Sequence, residues 1–126
     1  MSTTFSIMKN FQNNLISFLD ELINQFPQEA DLVIARIFLK DQVPIADVMN
    51  YVCHKLLPLK QLVTNRDEKF FVENNILFED LQKSKVNHFK KLWRSGLLDD
   101  EDKETIFKWF DTFLFLAEKY QKNLIK

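Results

Sequence analysis

Apolar residues recur at three- and four-residue spacing along most of the chain, which is the pattern of amphipathic helices. The pattern is clearest at the two ends. It predicts a first helix from about Thr4 to Gln25 and a last helix from Asp99 or Asp100 to about Asn123. Because both helices are long and each carries an apolar face, we expect them to pack against each other.

Three prolines divide the segment between these helices. Pro27 suits the first turn of a second helix, Pro44 opens a third, and Pro58 ends or kinks the third helix. Residues 32–39 are apolar except for Arg36, so a β-strand is the alternative for this segment.

Acidic residues favour a helix over a strand at residues 32–39. Glu29 and Asp31 would lie near the positive end of a helix that starts at Pro27. We therefore predict a second helix here, followed after Pro58 by a short helical piece over 59–63.

Polar residues mark further helix starts in the second half. Asp67 can cap a helix over 68–73, and Asn74-Asn75 indicates a loop. The apolar residues within 76–81 predict a buried anchor, and Ser84 can cap a helix from Lys85 to Ser95.

Gly96 follows that helix at the position where a left-handed residue commonly ends one. The chain shows no repeats and no flexible linker. The sequence thus predicts an all-α protein, a single compact bundle of five or six helices that forms one domain over residues 1–126.

Composition excludes several kinds of site. The chain has 13 phenylalanines and one glycine, 46% hydrophobic residues, 28% charged residues and a net charge of −1. Phosphate-binding loops and nucleophile elbows need several glycines for close backbone approach, and helix termination already explains Gly96.

Candidate catalytic and metal-binding residues are few. Cys53, His54 and His88 match no zinc spacing, and adjacent residues on a helix cannot readily form a thiol–imidazole pair. The acidic run 99–102 lacks the glycine of a calcium loop and suits helix capping. We therefore predict no catalytic residue, no metal, no cofactor and no enzymatic activity.

The cysteine content is typical of a protein in a reducing compartment. Cys53 is the one cysteine, so an internal disulfide is excluded. The first residues carry no basic region followed by an apolar run, and no window is apolar enough to span a membrane. We expect an intracellular protein with no membrane partner.

A basic segment at residues 83–94 combines cations with Phe89 and Trp93. Three interpretations remain open: a solvated helix face, a contact with an acidic protein, and a nucleic-acid contact in which cations bind phosphates and aromatics stack on bases. The helical spacing puts aromatics and cations on different faces, which favours the first interpretation. The candidate nucleic-acid contacts are Lys83, Lys85, Lys90, Lys91 and Arg94.

The excess of aromatic residues indicates a protein-binding surface. Phe107 and Phe115 fall outside the main apolar face of the last helix, and exposed aromatics are typical of interfaces. We predict a non-enzymatic interaction or assembly module that binds a protein partner or copies of itself. The candidate contact residues are Phe107, Phe115, Trp109 and Tyr120.

The second half of the chain also resembles short uncharacterised helical proteins of large, nucleocytoplasmic-type DNA viruses. The resemblance lies in residues 67–71, in Phe89-Lys90-Lys91-Leu92-Trp93 and in residues 103–110. Phe107 and Trp109-Phe110 depart from the tryptophan and tyrosine placement of those proteins. The resemblance implies a viral, non-enzymatic helical protein of the host cytoplasm, the nucleus or the virion.

Overall fold

The computed structural model describes residues 3–73 and 83–125, and these ranges contain helices joined by short turns, without a β-strand. Five long helices and two short ones confirm the all-α prediction. The α-helices are α1 (Thr3–Gln25), α2 (Ala30–Ile37), α3 (Ile45–Lys55), α4 (Lys60–Thr64), α5 (Glu68–Glu73), α6 (Lys83–Arg94) and α7 (Asp100–Ile125). A π-helical turn, Phe38–Gln42, continues α2, and a 3₁₀ turn, Leu57–Leu59, follows α3.

Helices α1 and α7 pack together, as their apolar faces predict. Phe113 of α7 is central to this contact, because its ring centroid lies 5.4 Å from that of Phe11 and 5.6 Å from that of Phe18. Helix α3 contacts both long helices. The main core is formed by Ile7, Phe11, Met49, Cys53, Leu56, Val63, Phe107, Phe113, Leu114, Leu116, Ala117 and Tyr120.

A second, smaller core joins the end of α1 to α2 and to the start of α7. Its buried residues are Phe26, Leu32 and Leu98. The half-buried side chains of Phe89 and Leu92 on α6 pack against it. This core therefore holds α2 and α6 on the body of the protein.

The start of α2 differs from the sequence prediction. The sequence predicts Pro27 in the first helical turn, but the helix begins at Ala30 and Glu29 is its N-cap residue. The amide of Phe26 still bonds to the carbonyl of Leu22, and the side chain of Phe26 is buried. The chain therefore turns over residues 27–29 before α2 begins. The helical conformation also shows that the strand alternative for residues 32–39 is wrong.

The predicted capping residues of α5 and α7 are confirmed, and so is the predicted role of Gly96. The amide of Phe70 donates to the Asp67 carboxylate at 3.1 Å. Asp99 and Asp102 form a reciprocal capping pair at the start of α7, with N–O distances of 2.8 and 3.2 Å. Gly96 has φ +84°, the left-handed geometry expected after a helix.

The start of α6 and the segment before it are described only in part. The sequence predicts Ser84 as the cap of α6, but Ser84 lies inside the helix. The predicted loop Asn74-Asn75 and the apolar anchor within 76–81 lie outside the described residues.

Arg66 fixes the turn between α4 and α5 against α7. Its Nε and Nη2 atoms donate to Glu104 at 3.0 and 2.9 Å, and its Nη1 and Nη2 atoms donate to Asp111 at 3.0 and 2.9 Å. Its guanidinium also lies over the Phe107 ring, 5.5 Å from the centroid. These contacts hold Arg66 at φ +54°, a backbone region that side chains other than glycine rarely adopt.

This geometry predicts an order of stability for two substitutions. Arg66→Ala and Arg66→Gly both remove the ion pairs with the two carboxylates, but only glycine adopts the positive φ without strain. We expect Arg66→Gly to have a free energy of unfolding about 1 kcal/mol higher than Arg66→Ala. Chemical denaturation of both variants measures the difference. Equal stabilities would show that the turn changes conformation once the guanidinium is removed.

Glu68 joins α5 to α6 and α7. It accepts hydrogen bonds from the Lys103 ammonium at 2.9 Å and from Trp93 Nε1 at 2.6 Å. Lys103 also lies over the Trp93 indole, 5.4 Å from the ring centroid. The bond from Lys103, followed by that from Trp93, lowers the pKa of Glu68 below its usual value.

The lowered pKa of Glu68 predicts a pH dependence of stability. A carboxyl with a lower pKa in the folded state stabilises the protein above its unfolded-state pKa, and that contribution is lost as the pH falls. We expect Glu68→Gln to lose less stability than the parent chain between pH 7 and about pH 3.5. Urea denaturation at the two pH values tests this, and equal losses would contradict it. Glu104, whose pKa is lowered by Arg66, retains its own pH dependence in both proteins.

Candidate interaction surface

Two of the four predicted contact aromatics are buried. Phe107 is 4% exposed, and its ring contacts Phe71, Trp93 and Phe110 at centroid distances of 6.0, 6.0 and 6.2 Å. The expectation that Phe107 is a surplus exposed aromatic is wrong, because α7 is covered on a second side by α5, α6 and Arg66. Tyr120 is 6% exposed and belongs to the main core. Neither residue offers a free contact surface in this structure.

The other two predicted contact residues are accessible, and each lies beside a charged side chain. Trp109 is half-buried, and its Nε1 atom donates to Glu21 at 2.6 Å. Phe115 is 59% exposed and has the Lys119 ammonium 5.2 Å from its ring centroid. Polar side chains of Lys60, Thr64, Asp111 and Glu118 line the shallow groove beside Phe115. Phe115 is thus an isolated exposed aromatic side chain.

The aromatic residues of the basic segment face the protein. Phe89 and Trp93 are half-buried and pack against the second core, and Trp93 donates its indole N–H to Glu68. Lys91 and Arg94 are exposed, and Lys90 is half-buried. The side chains of Lys83 and Lys85 lie outside the described residues. This arrangement supplies cations on the outer side of α6 without an aromatic stacking surface beside them.

The remaining residues considered for catalysis or metal binding each make a different contact. Cys53 is buried, which raises the pKa of its thiol, and its Sγ atom lies 3.8 Å from the carbonyl oxygen of Ala117. His54 is exposed and contacts the carbonyl of Asn50, while His88 lies 2.8 Å from Glu29. Among the described residues, no three His, Cys, Asp or Glu side chains are grouped for a metal ion.

The largest exposed apolar side chains that share one helix face lie on α2. Ile34, Ile37 and Phe38 are 59%, 51% and 55% exposed, and Val33 beside them is 41% exposed. At about 100° per residue these four positions cover one face of roughly 140°. We call Val33, Ile34, Ile37 and Phe38 the outer face of α2.

The opposite side of α2 is attached to the protein. Leu32 is buried in the second core, and Arg36 forms an ion pair with Asp20 of α1. The Gln12 side-chain amide donates to the carbonyl of Lys40, which ties the following turn to α1. The outer face is therefore presented by a helix whose orientation is fixed.

The π-helical turn lies at the end of this face. The amide of Val43 bonds to the carbonyl of Phe38 at 3.0 Å, which is the wider hydrogen-bonding step of a π-helix. Such turns are rare and are frequently found at functional sites. Asp41 in the turn and Ala30 at the start of α2 lie at the two ends of the outer face, and Asp41 is exposed.

The sequence indicates this surface through the apolar segment 32–39, although the aromatic residues of α7 are the more conspicuous feature. Residues 32–39 are apolar almost all round the helix, and an eight-residue helix at the edge of a bundle can bury only one side. An all-round apolar segment of this kind indicates contacts on two sides. The surplus of phenylalanines in α7 instead led to the prediction of a contact surface on α7. Phe38 is the one phenylalanine that belongs to the outer face of α2.

Comparison with protein families, with curated proteins and with solved structures finds no match to the chain. None of the helices in the described part of the chain has both the length and the apolar character needed to cross a bilayer. The geometry of the described residues is therefore the basis for a functional proposal.

Proposed function

We propose that the chain is a non-enzymatic protein-interaction module whose contact surface is the outer face of α2. The supporting observation is the clustering of Val33, Ile34, Ile37 and Phe38, each more than 40% exposed, on one side of an anchored helix. Single exposed apolar residues are normal on protein surfaces, but adjacent ones are typical of binding sites. The surface replaces the α7 aromatics as the candidate site.

The energetics of burial also support an interaction role. Covering a large apolar side chain contributes about 1.5–3 kcal/mol relative to leaving it in water. The outer face contributes little of this to folding of the isolated chain. A partner that covers it gains this contribution without first ordering a loop, because α2 is already held by Leu32 and by the ion pair of Arg36 with Asp20.

The structure gives less support to nucleic-acid binding. Base stacking needs exposed aromatic rings next to the phosphate-binding cations, and Phe89 and Trp93 pack inward. Phosphate contacts by Lys90, Lys91 and Arg94 would remain, without base stacking. The interaction proposal therefore takes precedence.

The size of the native assembly tests the proposed function. The tagged chain is produced in the organism that encodes it, and extracts are separated by gel filtration. We expect the parent chain to elute in a complex larger than a monomer. The variant Ile34→Glu/Ile37→Glu should elute as a monomer, because two carboxylates on the outer face oppose its desolvation.

The control is Phe115→Glu, which places one carboxylate at a similarly exposed apolar position on α7. We expect this variant to elute with the parent chain. If all three proteins elute as monomers, or if Phe115→Glu alone dissociates the complex, the outer face of α2 is not the contact surface.

A further inference from the structure

We infer that a groove between α1 and α7 binds a linear aliphatic diammonium ion, which is a chain of methylene groups with an ammonium at each end. The inference goes beyond the proposed function and does not rest on it, because none of the four residues of the outer face of α2 lines this groove. It follows from the apolar floor of the groove, from the positions of two carboxylates and from the indole of Trp109.

The groove lies where the end of α1 faces the start of α7, and its volume is about 310 Å³. The rings of Phe18 and Trp109, with centroids 5.8 Å apart, lie at one end. At the other end the Gln25 side-chain amide donates to the carbonyl of Leu97 at 3.2 Å. The groove is therefore elongated along α7, from Leu98 to Trp109.

The floor of the groove is apolar. It is formed by Leu98, which is buried, and by Leu22 and Ile106, which are half-buried and pack against the second core. Methylene groups that lie on this floor leave water, which favours binding. The floor therefore suits the aliphatic part of a ligand.

The charged residues among those that line the groove are Glu21 and Asp102, and both are acidic. Glu21 lies beside Trp109, because the indole Nε1 atom donates to it at 2.6 Å. Asp102 precedes Trp109 by seven residues on α7, which corresponds to about 10 Å along the helix axis. One carboxylate thus lies towards each end of the apolar floor, so a ligand with two separated ammonium groups can pair with both.

Both carboxylates can accept further hydrogen bonds. Glu21 accepts from Trp109 through Oε2, and Asp102 accepts from the amide of Asp99 through Oδ2. A carboxylate has about four lone-pair sites, so each retains acceptor positions for an ammonium. Lys103 follows Asp102 in the sequence but pairs with Glu68. It is therefore directed to a different carboxylate.

Two further features favour a cation in the groove. The indole of Trp109 lines it beside Glu21, and an ammonium within about 6 Å of a tryptophan ring centroid is attracted to the face of the ring. The first turn of α7 carries Asp100 and Glu101 as well as Asp102, which makes the potential at that end more negative. The carboxylates are partly in water, so we expect a Kd in the millimolar range.

NMR titration of the isotope-labelled full chain with hexamethylenediamine, at neutral pH and constant ionic strength, tests the inference. The two indole N–H resonances give the readout and an internal control. Each indole donates to a glutamate at 2.6 Å, Trp109 to Glu21 in the groove and Trp93 to Glu68 outside it. The Trp109→Phe variant identifies the two resonances. We expect a saturable shift of the Trp109 resonance and none of the Trp93 resonance.

Two related amines separate the contributions of charge and chain. Hexylamine has the same chain with one ammonium, and ethylenediamine has two ammonium groups without a chain that spans the floor. We expect hexylamine to bind about two- to fivefold more weakly than hexamethylenediamine, and ethylenediamine at least about fivefold more weakly.

Glu21→Gln and Asp102→Asn each remove one carboxylate and keep a side-chain oxygen that can accept the bond from Trp109 or from Asp99. Each should raise the Kd for hexamethylenediamine by about two- to fivefold and abolish its advantage over hexylamine. The control is Asp41→Asn, which removes an exposed carboxylate outside the groove and should leave the Kd unchanged. Circular dichroism establishes that each variant is folded.

Several results would overturn the inference. The absence of a saturable shift up to about 20 mM diamine would exclude a site of the expected affinity. Equal shifts of both indole resonances, or an equal loss of affinity in Asp41→Asn, would show that cations collect around the acidic side chains without a binding site. Hexylamine binding as tightly as the diamine would show that only one carboxylate takes part.

Discussion

Replacing Phe107 by alanine should lower the free energy of unfolding by about 3–5 kcal/mol, the usual cost of removing a buried aromatic ring. Phe107 is 4% exposed and contacts Phe71 of α5, Trp93 of α6 and Phe110 of α7. It also lies under the Arg66 guanidinium. The substitution therefore weakens the attachment of α5, of α6 and of the turn at Arg66 to α7. The expected loss is a large part of the stability of an ordinary domain.

Phe115→Ala is the matched control for this prediction. It removes the same side chain from the same helix at a position that is 59% exposed, where the ring lies near the Lys119 ammonium. We expect a change of less than about 1 kcal/mol. Denaturant unfolding of the two variants gives the comparison. Equal losses of stability would contradict the burial of Phe107 and return it to the candidate contact surface.

The second large effect is expected at Leu32, on the attached side of α2. Leu32 is 8% exposed and packs in the second core with Phe26 and Leu98. Leu32→Ala should lower the free energy of unfolding by about 2–4 kcal/mol, because it removes buried methyl groups and leaves a cavity. Thermal or urea unfolding of the purified variant measures this loss.

Ile34→Ala, two residues away on the same helix, provides the comparison. Ile34 is 59% exposed, so its truncation should change the unfolding free energy of the monomer by no more than about 0.5 kcal/mol. This measurement belongs at low protein concentration, so that any contact through the outer face does not contribute. A loss at Ile34 as large as that at Leu32 would show that α2 is rotated from the orientation described.

The helices at the two ends of the chain were predictable from local signals. Regular apolar spacing sets the pattern of α1 and α7, and Asp99 and Gly96 mark where one helix starts and another ends. Each of these signals acts within a few residues along the chain. The packing of α1 on α7 followed because each of these long helices has a main apolar face along its length.

The exposure of individual residues was less predictable, since it depends on what covers the second side of each helix. Phe107 lies outside the main apolar face of α7, and nothing within α7 indicates that Trp93 and Arg66 cover it. The same argument applies to α2, where Leu32 and Ile34 are equally apolar but only Leu32 is buried against the rest of the protein. Spacing identifies helix faces, and tertiary contacts decide which of them are buried.

The viral resemblance and the intracellular compartment stay predictions. The resemblance includes residues 89–93 and 103–110, and these contribute to the packing of α6 against α7 through Trp93 and Phe107. A shared pattern of this kind would therefore maintain the fold, and the residues of the proposed contact surface on α2 could differ.

Site-specific photocrosslinking from the outer face of α2 tests the central claim most directly. A benzophenone amino acid replaces Phe38 in one variant and Phe115 in another, since the two residues are 55% and 59% exposed. Both variants are irradiated in the organism that encodes the chain. We predict a discrete crosslinked product from position 38, abolished when Ile34→Glu/Ile37→Glu is added, and none from position 115. Crosslinking from position 115 with none from position 38 would contradict the assignment of the contact surface to α2.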